Sequence, residues 1–141
     1  MAITPYLFFE GRAEEAIALY TAALGAEVTM RMRFRDAPDP PPPGMLPPGS
    51  EDRLMHAELR IGAATLMLSD GHCAGAAHFA GFGVSLPAAD AAEARRFFDA
   101  LAVGGQVRMP LGPTFWSPAF GMVQDRLGVL WMIGVAQDSA Q

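Results

Sequence analysis

A chain of 141 residues that is 51% apolar is long enough to bury one hydrophobic core, and a single domain is expected. The net charge of −5, with every basic residue an arginine, excludes the broad cationic surface that a phosphate backbone requires, so nucleic acid is not an expected partner. No apolar run approaches the roughly 18 residues of a membrane span, the opening Met1-Ala2-Ile3-Thr4-Pro5 lacks the features of a signal peptide, and the lone Cys73 leaves no intrachain disulfide or cysteine-built zinc site, so a cytoplasmic chain without a membrane partner is expected.

Tyr6-Leu7-Phe8-Phe9 reads as a short buried strand. Ala13, Ala16, Ile17, Tyr20 and Leu24 then recur at helical spacing, with Glu14 and Glu15 in the first turn, where the helix dipole favours acids, and Gly25 as the stop. Glu27 to Arg35 alternates as a half-buried strand, with Met30, Met32 and Phe34 inward and Arg31, Arg33 and Arg35 on the solvent side. Asp36 to Asp52 holds most of the chain's prolines, including Pro40 to Pro43. It can neither continue a helix nor fill a ladder, so it is a loop: a stiff polyproline connector, or a lid over a pocket.

Leu54 to Ile61 places Met55, Ala57, Leu59 and Ile61 on one face and His56, Glu58 and Arg60 on the other, and Ala64 to Ser69 returns after a turn at Gly62. Gly71 to Gly81 is the linker between halves. Phe82 to Leu86 starts a second set: a helix capped by Asp90 with Glu93 and striped by Ala94, Phe97, Phe98 and Leu101, ending at Gly104-Gly105. Strands follow at Gln106 to Met109, Phe120 to Gln124 and Val129 to Val135, interrupted by the aromatic, proline-broken segment Gly112 to Ala119 and a turn at Asp125 to Gly128.

The order βαβββ thus occurs twice, and residues repeat with it. Glu15-Ala16-Ile17-Ala18-Leu19-Tyr20 matches Glu93-Ala94-Arg95-Arg96-Phe97-Phe98, and Gly25-Ala26-Glu27-Val28 matches Gly104-Gly105-Gln106-Val107 with one extra residue between helix and strand. The predicted class is α+β: two tandem βαβββ modules, about 3–70 and 82–136 around the linker 71–81, forming curved mixed sheets with outer helices within one domain, 1–141. A concave face, hence a pocket, is expected in each half.

Several groups of residues are specific together: Pro5-Tyr6-Leu7-Phe8-Phe9 with Ala16 to Glu27; His56 to Ile61 with Leu66-Met67-Leu68-Ser69-Asp70; and Thr114-Phe115-Trp116, Phe120-Gly121, Asp125, Gly128 and Trp131-Met132-Ile133. In these the chain resembles the PhnB-like branch of the vicinal oxygen chelate (glyoxalase, bleomycin-resistance and dioxygenase) superfamily. The resemblance implies the paired-module fold and a homodimer. It leaves the chemistry open, because members include isomerases, dioxygenases, transferases and proteins that only sequester drugs. No glycine-rich nucleotide loop supports a methyltransferase reading.

The resemblance also implies that metal-dependent members take His, Gln or Glu ligands from the first and last strands of each module. Here those strands offer Tyr6 to Phe9, Phe82 to Leu86 and Met132, with Asp70 at the end of strand four the one oxygen donor of the expected set, so no metal or other cofactor is expected. A displaced divalent site around His56 and Asp70 is the alternative, with Glu58, His72 and His78 as further donors; their plainer reading is a polar strand face and an exposed linker. Cys73 beside His72 is read as an unreactive loop cysteine. The expected function is binding of a small, partly apolar organic molecule against Tyr6, Phe8, His56, Trp116 and Met132. The alternatives are a metal-dependent lyase or dioxygenase and a ligand-free structural or interaction module whose cavity is filled by aromatic and methionine side chains.

Overall fold

The computed structural model describes residues 2–39 and 41–136. Residue 1, residue 40 of the proline-rich loop and residues 137–141 of the expected domain lie outside the described residues. The chain divides between Ala77 and His78, inside the expected linker, into two compact units.

The first unit comprises β1 (Tyr6–Phe8), α1 (Ala13–Leu24), β2 (Glu27–Arg33), β3 (Leu54–Ile61) and β4 (Ala64–Ser69), in a four-stranded sheet of order β1-β4-β3-β2. β1 runs parallel to β4 and the other pairs are antiparallel. The second comprises β5 (Val84–Ala88), α2 (Ala91–Ala102), β6 (Gln106–Gly112), β7 (Phe120–Gln124) and β8 (Leu130–Val135), in the order β5-β8-β7-β6 with the same orientations. Two four-stranded mixed sheets, each with one helix, make the α+β class that the repeated element order predicts. Among the described residues no helix is long and apolar enough to cross a membrane.

Each helix follows from its apolar spacing. Ala13, Ala16, Ile17, Tyr20 and Leu24 of α1 are buried, as are Ala94, Phe98 and Leu101 of α2. Facing them in the first unit are Leu7, Ala57, Leu59, Ile61, Leu66 and Leu68; the second unit buries Leu86, Val123, Trp131 and Ile133 in the same way. Fully buried leucines such as Leu59 and Leu68 each contribute roughly 1.5–3 kcal/mol. Gly25, at φ 68°, closes α1 in the left-handed conformation, its amide donating to Thr21 O at 3.1 Å. Asp90 caps α2 by accepting from the Glu93 amide at 2.8 Å, and the Glu93 carboxylate takes the Ala89 amide at 3.0 Å.

The structure corrects several boundaries. β2 ends at Arg33, because Phe34–Asp36 turns into a 3-10 helix in which the Asp36 carboxylate accepts from the Arg33 amide at 2.9 Å. Arg31 and Arg33 are not a free solvent stripe: they lie on the helix side of the sheet and pair with Glu14 of α1 at 3.7 and 2.9 Å, while Arg35 pairs with Asp52. Leu54, rather than Met55, is the buried residue at the head of β3, where the register shifts opposite Met32 and Arg33. β5 begins at Val84, two residues late, and β6 runs on through Pro110 to Gly112. Both prolines found in strands, Pro87 and Pro110, sit on edge strands, where a missing donor leaves no ladder bond unmade.

Candidate functional site

Each sheet has one face covered by its helix and one face turned away from it, and pairing register decides which side chains share the second face. In the first unit Met30, Glu58, Met67 and Tyr6 form one row across β2, β3, β4 and β1; Met32 stands beside His56 in the next row. In the second unit the corresponding row is Met109, Met122, Met132 and Ser85. The correspondence extends to an irregularity. One extra residue, Thr29 between Val28 and Met30, bulges from β2, and Arg108 between Val107 and Met109 bulges from β6. In both units the bulge brings the methionine that follows onto the helix-free face.

On the first face Tyr6 and His56 form the polar centre. The Tyr6 hydroxyl and His56 Nδ1 are 2.9 Å apart and the rings stack at 5.4 Å between centroids. On the other side of the imidazole, Nε2 lies 3.4 Å from a Glu58 carboxylate oxygen. Phe8 continues the aromatic surface 4.9 Å from Tyr6, and Met30, Met32 and Met67 surround it with half-buried thioethers. The result is a hydroxyl, an imidazole and a carboxylate in sequence, set in an apolar and adaptable surround.

The second face is largely apolar. Trp116 and Phe120 pack edge-on at 5.3 Å and, with Ser85, Pro87 and Gly134, line a hollow of about 310 Å³. Gly134 makes room for Phe120, since a Cβ there would come within 3.0 Å of its ring. A second hollow of about 340 Å³ is lined by Phe79, Phe82, Arg108, Met122 and Gln124. The proline-rich segment encloses its own hollow of about 430 Å³ with Phe34, Pro41, Leu46 and Pro47, lined by none of the five predicted site residues.

Tyr6, Phe8 and His56 therefore share the face of the first unit, and Trp116 and Met132 belong to the second. Trp131, the neighbour of Met132, is core: it is 1% exposed and its Nε1 donates to Asp125 Oδ2 at 2.9 Å. Asp70 also needs correction. It lies past the end of β4 and is buried, with Oδ1 accepting from the Gly11 and Ala13 amides and Oδ2 from the Leu54 amide. The β4 residue equivalent to Met132 is Met67. Glu58 and the methionines Met30, Met32 and Met67 are site residues that the sequence reading did not place with Tyr6; their alternation was legible, but the bulge that aligns them was not.

The positions implied as metal-ligand sites, on the first and last strands of each module, are thus Tyr6, Met67, Ser85 and Met132. A phenol, a hydroxyl and two thioethers do not fit a divalent ion that requires three or four imidazole or carboxylate donors. Among the described residues, no three of His, Cys, Asp and Glu cluster as a metal site. Cys73 holds a left-handed backbone at φ 57°; burial pushes its thiol above its ordinary range, against a smaller lowering by a hydrogen bond with Ser50. That is the reverse of an activated thiolate.

The family model of the Glyoxalase/Bleomycin resistance protein/Dioxygenase superfamily matches residues 2–133. Protein YjdN of Escherichia coli (strain K12) is 37% identical over 144 residues, covering 97% of each chain. Among solved structures, the protein PA1353 of Pseudomonas aeruginosa is 43% identical with a TM-score of 0.83, covering 98% of this chain and 99% of that one. A Bacillus cereus structure described as a putative 3-demethylubiquinone-9 3-methyltransferase, PhnB protein, is 29% identical with a TM-score of 0.73, covering 96% and 100%.

Proposed function

The chain belongs to the Glyoxalase/Bleomycin resistance protein/Dioxygenase superfamily, and from that premise we propose that it binds a small, partly apolar organic molecule on the helix-free faces of its sheets, without the divalent metal of the superfamily's metal-dependent members. The observation that carries this reading is the first unit's face: Tyr6, His56 and Glu58 converge as polar groups inside a surround of Phe8, Met30, Met32 and Met67. Small-molecule sites have this composition, a mostly apolar wall with a few placed polar groups that fix orientation. The methyltransferase wording attached to the Bacillus cereus relative is not carried over, because the sequence offers no glycine-rich nucleotide loop.

A displaced metal site around His56 and Asp70 has less support. The Asp70 oxygens hold three backbone amides, and a metal there would leave those donors without their acceptor.

Protein purified from metal-supplemented cells is expected to hold substoichiometric divalent metal, and chemical-shift mapping with a fragment library is expected to gather perturbations at Tyr6, Phe8, His56 and Met67. A stoichiometric, tightly held ion, or perturbations that avoid these residues, counts against the proposal. The homodimer that the resemblance implies is proposed on that ground alone, and sedimentation at micromolar concentration tests it.

A further inference from the structure

We infer, on the footing that the first unit's helix-free face is the ligand site, that the Tyr6 oxygen meets the ligand's polar end as a hydrogen-bond acceptor, so that the ligand carries a donor there, a hydroxyl or an amine, and not a carboxylate. The inference starts at Glu58. Its carboxylate oxygen stands 3.4 Å from His56 Nε2, and a bare nitrogen lone pair facing that oxygen would be repelled. In the neutral form of the ring the single proton therefore belongs on Nε2, the nitrogen nearer the carboxylate. Nδ1 is then the unprotonated nitrogen, and the group 2.9 Å from it is the Tyr6 hydroxyl, which must be the donor.

A phenol has one hydrogen. With that hydrogen given to His56, the Tyr6 oxygen can only accept from anything else that reaches it. Glu58, whose side chain is 36% exposed, is acceptor-only as well. The arginines of the same sheet are paired away from Tyr6. Arg60, on the same face of β3, is held by Glu27 at the head of β2, and Arg31 and Arg33 pair with Glu14 on the helix side. Phe8 and Met67, the residues that adjoin Tyr6 on β1 and β4, offer no N–H or O–H from their side chains. A ligand hydroxyl or amine placed against Tyr6 finds an acceptor whose own hydrogen is already committed; a ligand carboxylate finds lone pairs facing lone pairs.

The test uses three probes of one shape, para-ethylphenol, para-ethylanisole and para-ethylbenzoate, titrated into the full chain at about pH 8 and followed by NMR. The phenol is expected to bind roughly three- to tenfold tighter than the anisole, the worth of one net hydrogen bond, with the benzoate weakest. Tyr6→Phe is expected to bring phenol and anisole to parity. Equal or tighter binding of the anisole or benzoate by the unaltered protein, or a phenol preference that survives Tyr6→Phe, overturns the inference and leaves the ligand-binding reading standing. Binding of none of the three overturns that reading and the inference with it. Should Tyr6→Phe not fold, imidazole nitrogen shifts of the unaltered protein decide: protonated Nε2 with bare Nδ1 is expected, and the opposite tautomer overturns the inference.

Discussion

Asp70 caps the helix that begins at Ala13: its Oδ1 accepts from the Ala13 amide at 2.8 Å, across 57 positions of chain. Arg12, the residue that precedes α1, provides no side-chain cap, so the first turn takes its acceptor from the far end of β4. The same carboxylate holds Gly11 at 2.9 Å and, through Oδ2, Leu54 at 2.8 Å. Asp70→Ala leaves three amides without their acceptor, at about 1–3 kcal/mol each. A loss of at least about 3 kcal/mol in urea unfolding is expected, with Asp70→Asn intermediate because its amide nitrogen points a donor at a donor. A loss under about 1 kcal/mol for Asp70→Ala would show that the cap contributes little.

In the second unit, Asp125 organises the turn before β8 by accepting from the Leu127 and Val129 amides at 2.9 and 3.1 Å and from Trp131 Nε1 at 2.9 Å. Trp131→Phe removes the indole donor and leaves a space beside a buried carboxylate. Roughly 2–4 kcal/mol of destabilisation is expected, from the lost bond and the void together. Equilibrium unfolding of the two proteins measures it, and a difference within about 0.5 kcal/mol would refute the assigned role.

The repeat places Gly105 where the first unit has Ala26, and the difference has a steric cause. A Cβ on Gly105 would land on the Gln124 carbonyl oxygen and lie 3.0 Å from the Asp125 carbonyl carbon. Gly105→Ala is therefore expected to cost roughly 2–3 kcal/mol, since backbone must move to admit it. Ala26→Gly, the mirror change in the first unit, is expected to cost no more than about 1 kcal/mol. Comparable losses at both positions would contradict this account.

Cys73 gives the pH dependence. Its thiol is pushed up by burial, so the folded chain retains that proton at pH values where an unfolded one has begun to lose it. The associated stability is fully present below the unfolded thiol's pKa and is lost as pH rises through the higher folded value. Iodoacetamide should modify the native protein more slowly than a small thiol at mildly alkaline pH and match it only in denaturant. Rapid native alkylation at neutral pH would sink this expectation.

Much of the fold was legible because periodicity reports burial. β3, β4 and β7 start and end where alternation does, and the stripes of α1 and α2 are buried except at Phe97, which is half-buried. The misses have local causes. Phe82 resembles the start of a strand, but its ring packs edge-on to Phe79 in the segment before β5, and Pro110 resembles a break but occupies an edge strand that tolerates it. The site was half legible. His56 and Glu58 fall on one face by simple alternation, whereas the bond from Tyr6 to His56, 50 positions apart, depends on β1 lying parallel beside β4. Asp70 was misread because an acid at the end of a strand looks like a ligand until the amides it serves are seen.

The bulges at Thr29 and Arg108 bear on ancestry. An irregularity of the same length, at the same step before the same methionine, in both halves is best explained as already present in the single unit that was doubled. The two faces then began as one design and diverged afterwards. One half now carries an imidazole and a carboxylate beside a phenol, while the other carries three thioethers abreast in Met109, Met122 and Met132. Doubling supplies two copies of one surface, and the imidazole–carboxylate pair stands on one of them.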